Sequence, residues 1–131
     1  MILKICQLMI CCLNNMRYID ISSLVQKDFD QFDGREKQWI KAVISYLKDE
    51  NNSLDLIKQK FKPLGGELSG YYKAKHRGFG IRIIFQILNE KQLKVYFERI
   101  EFDTDITEVI QIIAGGRRER IYDTVSKRIK K

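Results

Sequence analysis

The spacing of apolar residues changes at the middle of this chain, and that change limits the folds open to it. Up to Pro63 the apolar residues recur at helical intervals; beyond Gly65 and Gly66 they alternate. In the first part, "RYIDIS" (17–22) alternates enough for a short strand, and Ser22 or Ser23 can cap a helix that buries Leu24, Val25, Phe29 and Phe32. Asp33 with Glu36 three residues on is a capping box, each side chain satisfying an amide that the first turn leaves free. The helix it starts, over about 35–49, carries Trp39, Ile40, Val43, Ile44 and Leu47 on one stripe. "LDLIKQKF" supports one or two further turns, closed by Pro63 and the glycine pair.

In the second part, "LSGYYKAKH" and "GIRIIFQIL" flank a tight turn at Gly78, Phe79 and Gly80, a hairpin signal. Ile81, Ile83, Phe85 and Ile87 share the core face, so Arg82 and Gln86 point away from it. "LKVYFERI" (93–100) is expected as a further strand, "EFDTD" as an acidic turn, and "ITEVIQIIA" (106–114) as the last strand. Ile121, Val125 and Ile129 then define a closing amphipathic helix with a basic outer face. The expected class is α+β: N-terminal helices packed on a four- to five-stranded, mainly antiparallel sheet, with a C-terminal helix.

The chain has 131 residues, 44% of them hydrophobic, enough for one core and one domain. The apolar leader "MILKICQLMICCLNN" (1–15) stands apart from the domain expected over 16–131. Three readings of it are open: a start assigned upstream of a true start at Met16, an extra apolar element, or a short export signal. Cys6, Cys11 and Cys12 all fall in this leader and offer neither a disulfide framework nor a paired metal motif, which suits a reduced, cytoplasmic protein. No apolar run reaches the roughly 20 residues of a membrane span.

The formal charge of +7 is unevenly placed. Residues 68–82 and 114–131 hold 11 of the 24 Lys and Arg with 2 of the 17 acids, a local +9, while the remaining residues sum to −2. Within "YYKAKHRGFGIR" (71–82), alternation puts Tyr71, Lys73, Lys75 and Arg77 on one face and Tyr72, Ala74 and His76 on the other. A row of like charges repels itself unless an anion lies over it, so the row is either a polyanion site or a solvated strand face. His76, on the inner face, is a core-edge histidine rather than a base. Gly115 and Gly116 are followed by "RRER" rather than Lys-Ser or Lys-Thr, which excludes a phosphate-cradling P-loop. They are expected instead as a turn entering the last helix. One His and scattered acids lack metal-ligand spacing, so neither a metal nor a cofactor is expected.

Two stretches carry a resemblance. "LSGYYKAKHRGFGIRIIFQI" (68–87) and "IIAGGRRERIYDTVSKRI" (112–129) hold, in order, a Leu-x-Gly, a Tyr-Lys-x-Lys, an Arg-aliphatic-aliphatic-aromatic strand, a Gly before basic residues, and a Tyr before a terminal Lys-Arg. Over residues 16–131 this pattern resembles the RelE/ParE superfamily of bacterial toxins, and most closely its RelE-like messenger-RNA interferases. The resemblance implies catalytic roles for Lys73, Lys75, Arg82, Arg118 and Tyr122, with Arg77, Arg117, Arg120, Lys127 and Arg128 as further RNA-binding cations. The interval from the basic cluster to the tyrosine is two residues shorter than usual, so Arg117 or Arg120 can also take the place given to Arg118. About fifteen residues, "KQLKVYFERIEFDTD", are extra, most simply an added strand or an enlarged hairpin. Where some relatives carry a Glu before Pro-Leu as a base, this chain has Lys62, and no carboxylate base is assigned.

What the resemblance implies is a toxin that cuts messenger RNA on the ribosome and is held inactive by a cognate antitoxin, in a hetero-oligomer on operator DNA. Chemically, cutting RNA without a metal requires a 2′-hydroxyl to lose its proton, attack the adjacent phosphorus and expel the 5′-oxygen. Fixed cations aimed at the phosphoryl oxygens stabilise that transition state. A lysine among other cations loses its proton more readily and can act as base. Tyr122, four residues after Arg118, lies one helical turn away if the helix covers both, and a neighbouring cation makes its proton easier to lose. The alternative class is a non-catalytic binder, either a ParE-like gyrase inhibitor or a basic RNA-binding module.

Overall fold

The structure is a computed structural model and describes residues 16–99 and 106–129. The apolar leader and the acidic turn lie outside the described residues. In chain order the elements are β1 (Met16–Asp20), α1 (Ser23–Asp30), α2 (Gly34–Lys48), α3 (Leu54–Lys60), β2 (Lys62–Pro63), a 3-10 turn (Gly66–Leu68), β3 (Tyr71–His76), β4 (Ile81–Ile87), α4 (Glu90–Arg99), β5 (Ile106–Arg117) and α5 (Ile121–Ile129). The sheet order is β1-β5-β4-β3-β2; β1 runs parallel to β5 and every other pair is antiparallel. The chain is α+β, with helices on both faces of a mainly antiparallel sheet.

Local chemistry sets the first helices as expected. Ser22 caps α1 through the Val25 amide, and Asp33 and Glu36 form the reciprocal capping box of α2. Val25, Phe29 and Phe32 are buried, but Leu24 is not; it lies on the outer side of α1. Ile40, Val43 and Leu47 of α2 pack with Ile57 of α3 on Ile83, Phe85, Ile110 and Ile112, the larger core. Arg17, buried beside Glu108 (3.0 Å), donates to the carbonyls of Leu47 and Asp49 and so ties the end of α2 to β1.

Three expectations are corrected. Of the segment expected as a strand over 93–100, residues 93–99 lie in helix α4. Its spacing of Leu93, Tyr96 and Phe97 is helical, and Asn89 and Gln92 exchange side-chain hydrogen bonds with each other's amides at 2.9 Å, a second capping box. The described part of the extra segment, 91–99, therefore adds helix rather than strand, and the fifth strand of the sheet is the two-residue β2. Gly115 and Gly116 are not a turn but the end of the twelve-residue β5. A Cβ on Gly115 would sit 2.5 Å from the ring of Phe29, so the glycine admits α1 close to the sheet. Finally, α5 begins at Ile121, so Arg118 precedes the helix in a turn rather than sharing a turn of helix with Tyr122.

The second face of the sheet carries α5, packed through Ile121 and Val125 on Ile84 and Ala114, and α4, packed through Tyr96 on Leu88 and Val109. Between them and the β3 edge, part of this outer face stays open.

Candidate active site

The open part of the outer face is cationic because of strand register. Lys75 pairs across the ladder with Arg82, and Lys73 lies between Ile84 on one side and Lys62 on the other. Directly opposed like charges cost stability. Lys75 is exposed, and its ammonium is held below the usual lysine range, first by Arg77, then by partial desolvation and by Lys73, Lys62 and Arg82. Arg82 is half-buried; its Nε is shut off from solvent and has no hydrogen-bond partner among the described residues.

Helix α5 brings Tyr122 to this cluster. The Lys73 ammonium donates to the Tyr122 hydroxyl oxygen at 3.3 Å and lies 6.0 Å from the ring centroid. The phenol proton is left free for another acceptor, and the ammonium is placed to steady a phenolate. Lys73, Lys75, Arg82 and Tyr122, expected as one site, are thus brought together from β3, β4 and α5.

The other basic residues separate into two groups. Arg77, in the β3–β4 turn, acts electrostatically on Lys75. Gly80 closes that turn at φ +66°, a conformation that favours glycine, and its carbonyl accepts from the Arg118 amide at 2.9 Å. Arg118 therefore begins the turn after β5 right beside the hairpin; its side chain is 67% exposed, with Glu119 at a loose 3.6 Å. Arg117, one residue earlier, belongs to the opposite face. It pairs with the buried Glu36 at 2.6 Å, donates to the Phe79 carbonyl and stacks over Phe32. That hydrogen bond, with the Asp33 amide, holds the Glu36 carboxyl below the usual carboxylate range. Arg128 is likewise engaged, with two hydrogen bonds to Asp28 at 2.6 and 2.9 Å and one to the Ile113 carbonyl. Arg120 and Lys127 are exposed near and on α5.

Two further residues complete the description. His76 accepts the Phe79 amide at Nδ1 and stacks on the Phe79 ring, so it is a satisfied core-edge histidine. Lys62, not expected from the sequence as a site cation although it stands before Pro-Leu, is set beside Lys73 by β2 and adds a cation. Among the described residues no group of three potential metal ligands comes together.

The backbone can be compared with solved structures. Over 86% of this chain and 94% of the other, it superposes on the toxin RelE of E. coli, a double arginine-to-alanine mutant in the free state, with a TM-score of 0.51 and 19% identity. The fold is that of RelE. The toxin–antitoxin complex RelBE2 of Mycobacterium tuberculosis also matches, over 80% of this chain and 99% of that one, with a TM-score of 0.46 and 13% identity. No protein-family model matches the chain, and no curated protein matches it. On the RelE fold described here, the cation cluster lies on the outer sheet face beside the C-terminal helix.

Proposed function

We propose that this protein is a RelE-like toxin, a ribosome-dependent endoribonuclease that cleaves messenger RNA without a metal and is held inactive by an antitoxin. The observation that carries the reading is the Lys73–Tyr122 contact within a cluster of directly opposed cations. A binding module needs positive charge, but it has no use for a tyrosine whose oxygen is held by a lysine while its proton stays free.

In the mechanism this supports, Lys75, deprotonated more readily than an ordinary lysine, takes the proton of the 2′-hydroxyl. The oxygen attacks phosphorus, and charge grows on the non-bridging oxygens. Arg82, with its unpartnered Nε, and Arg118 accept that charge. Tyr122 gives its proton to the leaving 5′-oxygen, and Lys73 stabilises the phenolate that remains. Arg77 and Lys62 draw the RNA backbone in and keep Lys75 acidic. Arg117 and Arg128 hold the fold; their charges are committed to Glu36 and Asp28. The cellular setting proposed is the cytoplasm. There an acidic, amphipathic antitoxin segment covers the +9 surface and blocks or displaces helix α5, the pair assembling on operator DNA.

Growth arrest on expression tests the reading. Lys73→Ala, Arg82→Ala and Arg118→Ala should each relieve it, with circular dichroism unchanged, since losing one such group lowers the rate by about 10²–10³-fold. Full toxicity in all three variants would remove the assignment.

A further inference from the structure

On the helical side of the β3 edge lies a groove of about 570 Å³, within the range of about 300–1,000 Å³ usual for small-molecule sites. Its walls are aromatic and its rim basic. Trp39 and Tyr46 come from α2, and Phe61 meets Tyr46 edge-on at 5.7 Å. Lys60 and Lys62 flank them, with the Lys60 ammonium 4.8 Å over the Tyr46 ring. Neither the Trp39 indole N–H nor the Tyr46 hydroxyl has a hydrogen-bond partner among the described residues.

One strand residue joins this groove to the cation cluster. β2 pairs with β3 only opposite Lys73 and Tyr72, and the Leu64 amide donates to the Tyr71 carbonyl. Backbone groups alternate along a strand, so Lys75, four residues after Tyr71, turns its amide and carbonyl to that same edge, past the end of β2. Its side chain lies with the outer-face cations while its backbone edge borders the groove.

We propose that the groove holds an unstacked base of single-stranded RNA, from the nucleotide whose phosphate lies on Lys73 and Lys75. The inference rests on the RNA reading above and adds a base subsite to it. A base needs a π-surface to stack on, a donor and an acceptor for its edge, and cations for the phosphate beside it; Trp39 with Tyr46, the Lys75 backbone, and Lys62 with Lys73 supply them. An added peptide strand fits less well, because only one residue of free edge remains and strand addition needs a run of them.

Trp39 is the single tryptophan of the chain, so its emission reports the groove directly. The full chain is titrated at low salt with a labelled RNA trinucleotide, 2′-O-methylated so that it cannot be cut, and with an abasic phosphodiester of equal length. Binding is read by anisotropy and groove occupancy by Trp39 emission. The base-bearing strand should quench Trp39 saturably, at the concentrations at which it binds. The abasic strand should bind about tenfold more weakly and leave the emission unchanged, and Tyr46→Leu should lower affinity only for the base-bearing strand. Binding with unchanged Trp39 emission, equal quenching by the abasic strand, or no binding of the trinucleotide would each overturn the base subsite. So would quenching by an acidic peptide alone, which would assign the groove to a polypeptide. In all these cases the nuclease reading stands or falls separately, on the growth-arrest variants.

Discussion

At the scale of single residues, the chemistry proposed for Lys75 depends on its neighbours. Its lowered pKa comes first from Arg77, a residue that touches no core. A lysine base works only when deprotonated, so cleavage should rise with pH through the pKa of Lys75, up to the pH at which Tyr122 no longer holds the proton it donates. Removing a nearby cation makes the ammonium form easier to keep and raises that pKa. Arg77→Ala should therefore move the rising limb of the pH–rate profile to higher pH, with the maximal kcat at saturating RNA nearly retained. A profile that drops in height without shifting would make Arg77 an RNA contact alone. The same lowered pKa affects folding: the native state binds its proton less tightly than the unfolded chain, so the stability lost to crowding of cations is regained as pH rises through the lysine range.

Among elements, α5 is tied to α1 by an ion pair that sequence cannot reveal, since Arg128 and Asp28 are 100 residues apart, and to β5 by the Arg128 bond to the Ile113 carbonyl. Their side chains are 18% and 13% exposed, and Asp28 also accepts the Gly115 amide at 3.1 Å. Arg128→Ala leaves that carboxylate short of a partner and should cost about 2 kcal/mol, a fall in Tm of about 6–10 °C, while the salt dependence of RNA binding stays as it was. An unchanged Tm with a shallower salt slope would return Arg128 to the phosphate contacts. The elements legible in the sequence were those with local signals: the Ser22 and Asp33 caps, the α2 stripe and the β3–β4 hairpin. Helix α4 was misread because Leu93, Val95 and Phe97 alternate as in a strand, although Asn89 and Gln92 already spelled its cap. Gly115 was misread because a glycine marks close approach as readily as a turn, and the ring that approaches comes from Phe29, far back in the chain.

For the whole molecule, the order of helices, sheet and last helix is legible, and so is the meeting of Lys73, Lys75, Arg82 and Tyr122 on the outer face. Less legible was the sorting of the arginines. Arg117 and Arg118 are neighbours whose sides depend on how far β5 runs, and that length follows from pairing with β4 rather than from local propensity. With it fixed, one arginine braces Glu36 behind the sheet and the next stands at the hairpin in front. The central claim is that this outer face cuts RNA by attack of its own 2′-hydroxyl, and the ends of the product test it most directly. Messenger RNA on programmed ribosomes, incubated with the purified chain, should be cut to fragments bearing a 2′,3′-cyclic phosphate and a 5′-hydroxyl, and Lys75→Ala should abolish the cut. Intact RNA, or fragments with a 5′-phosphate, would contradict the account.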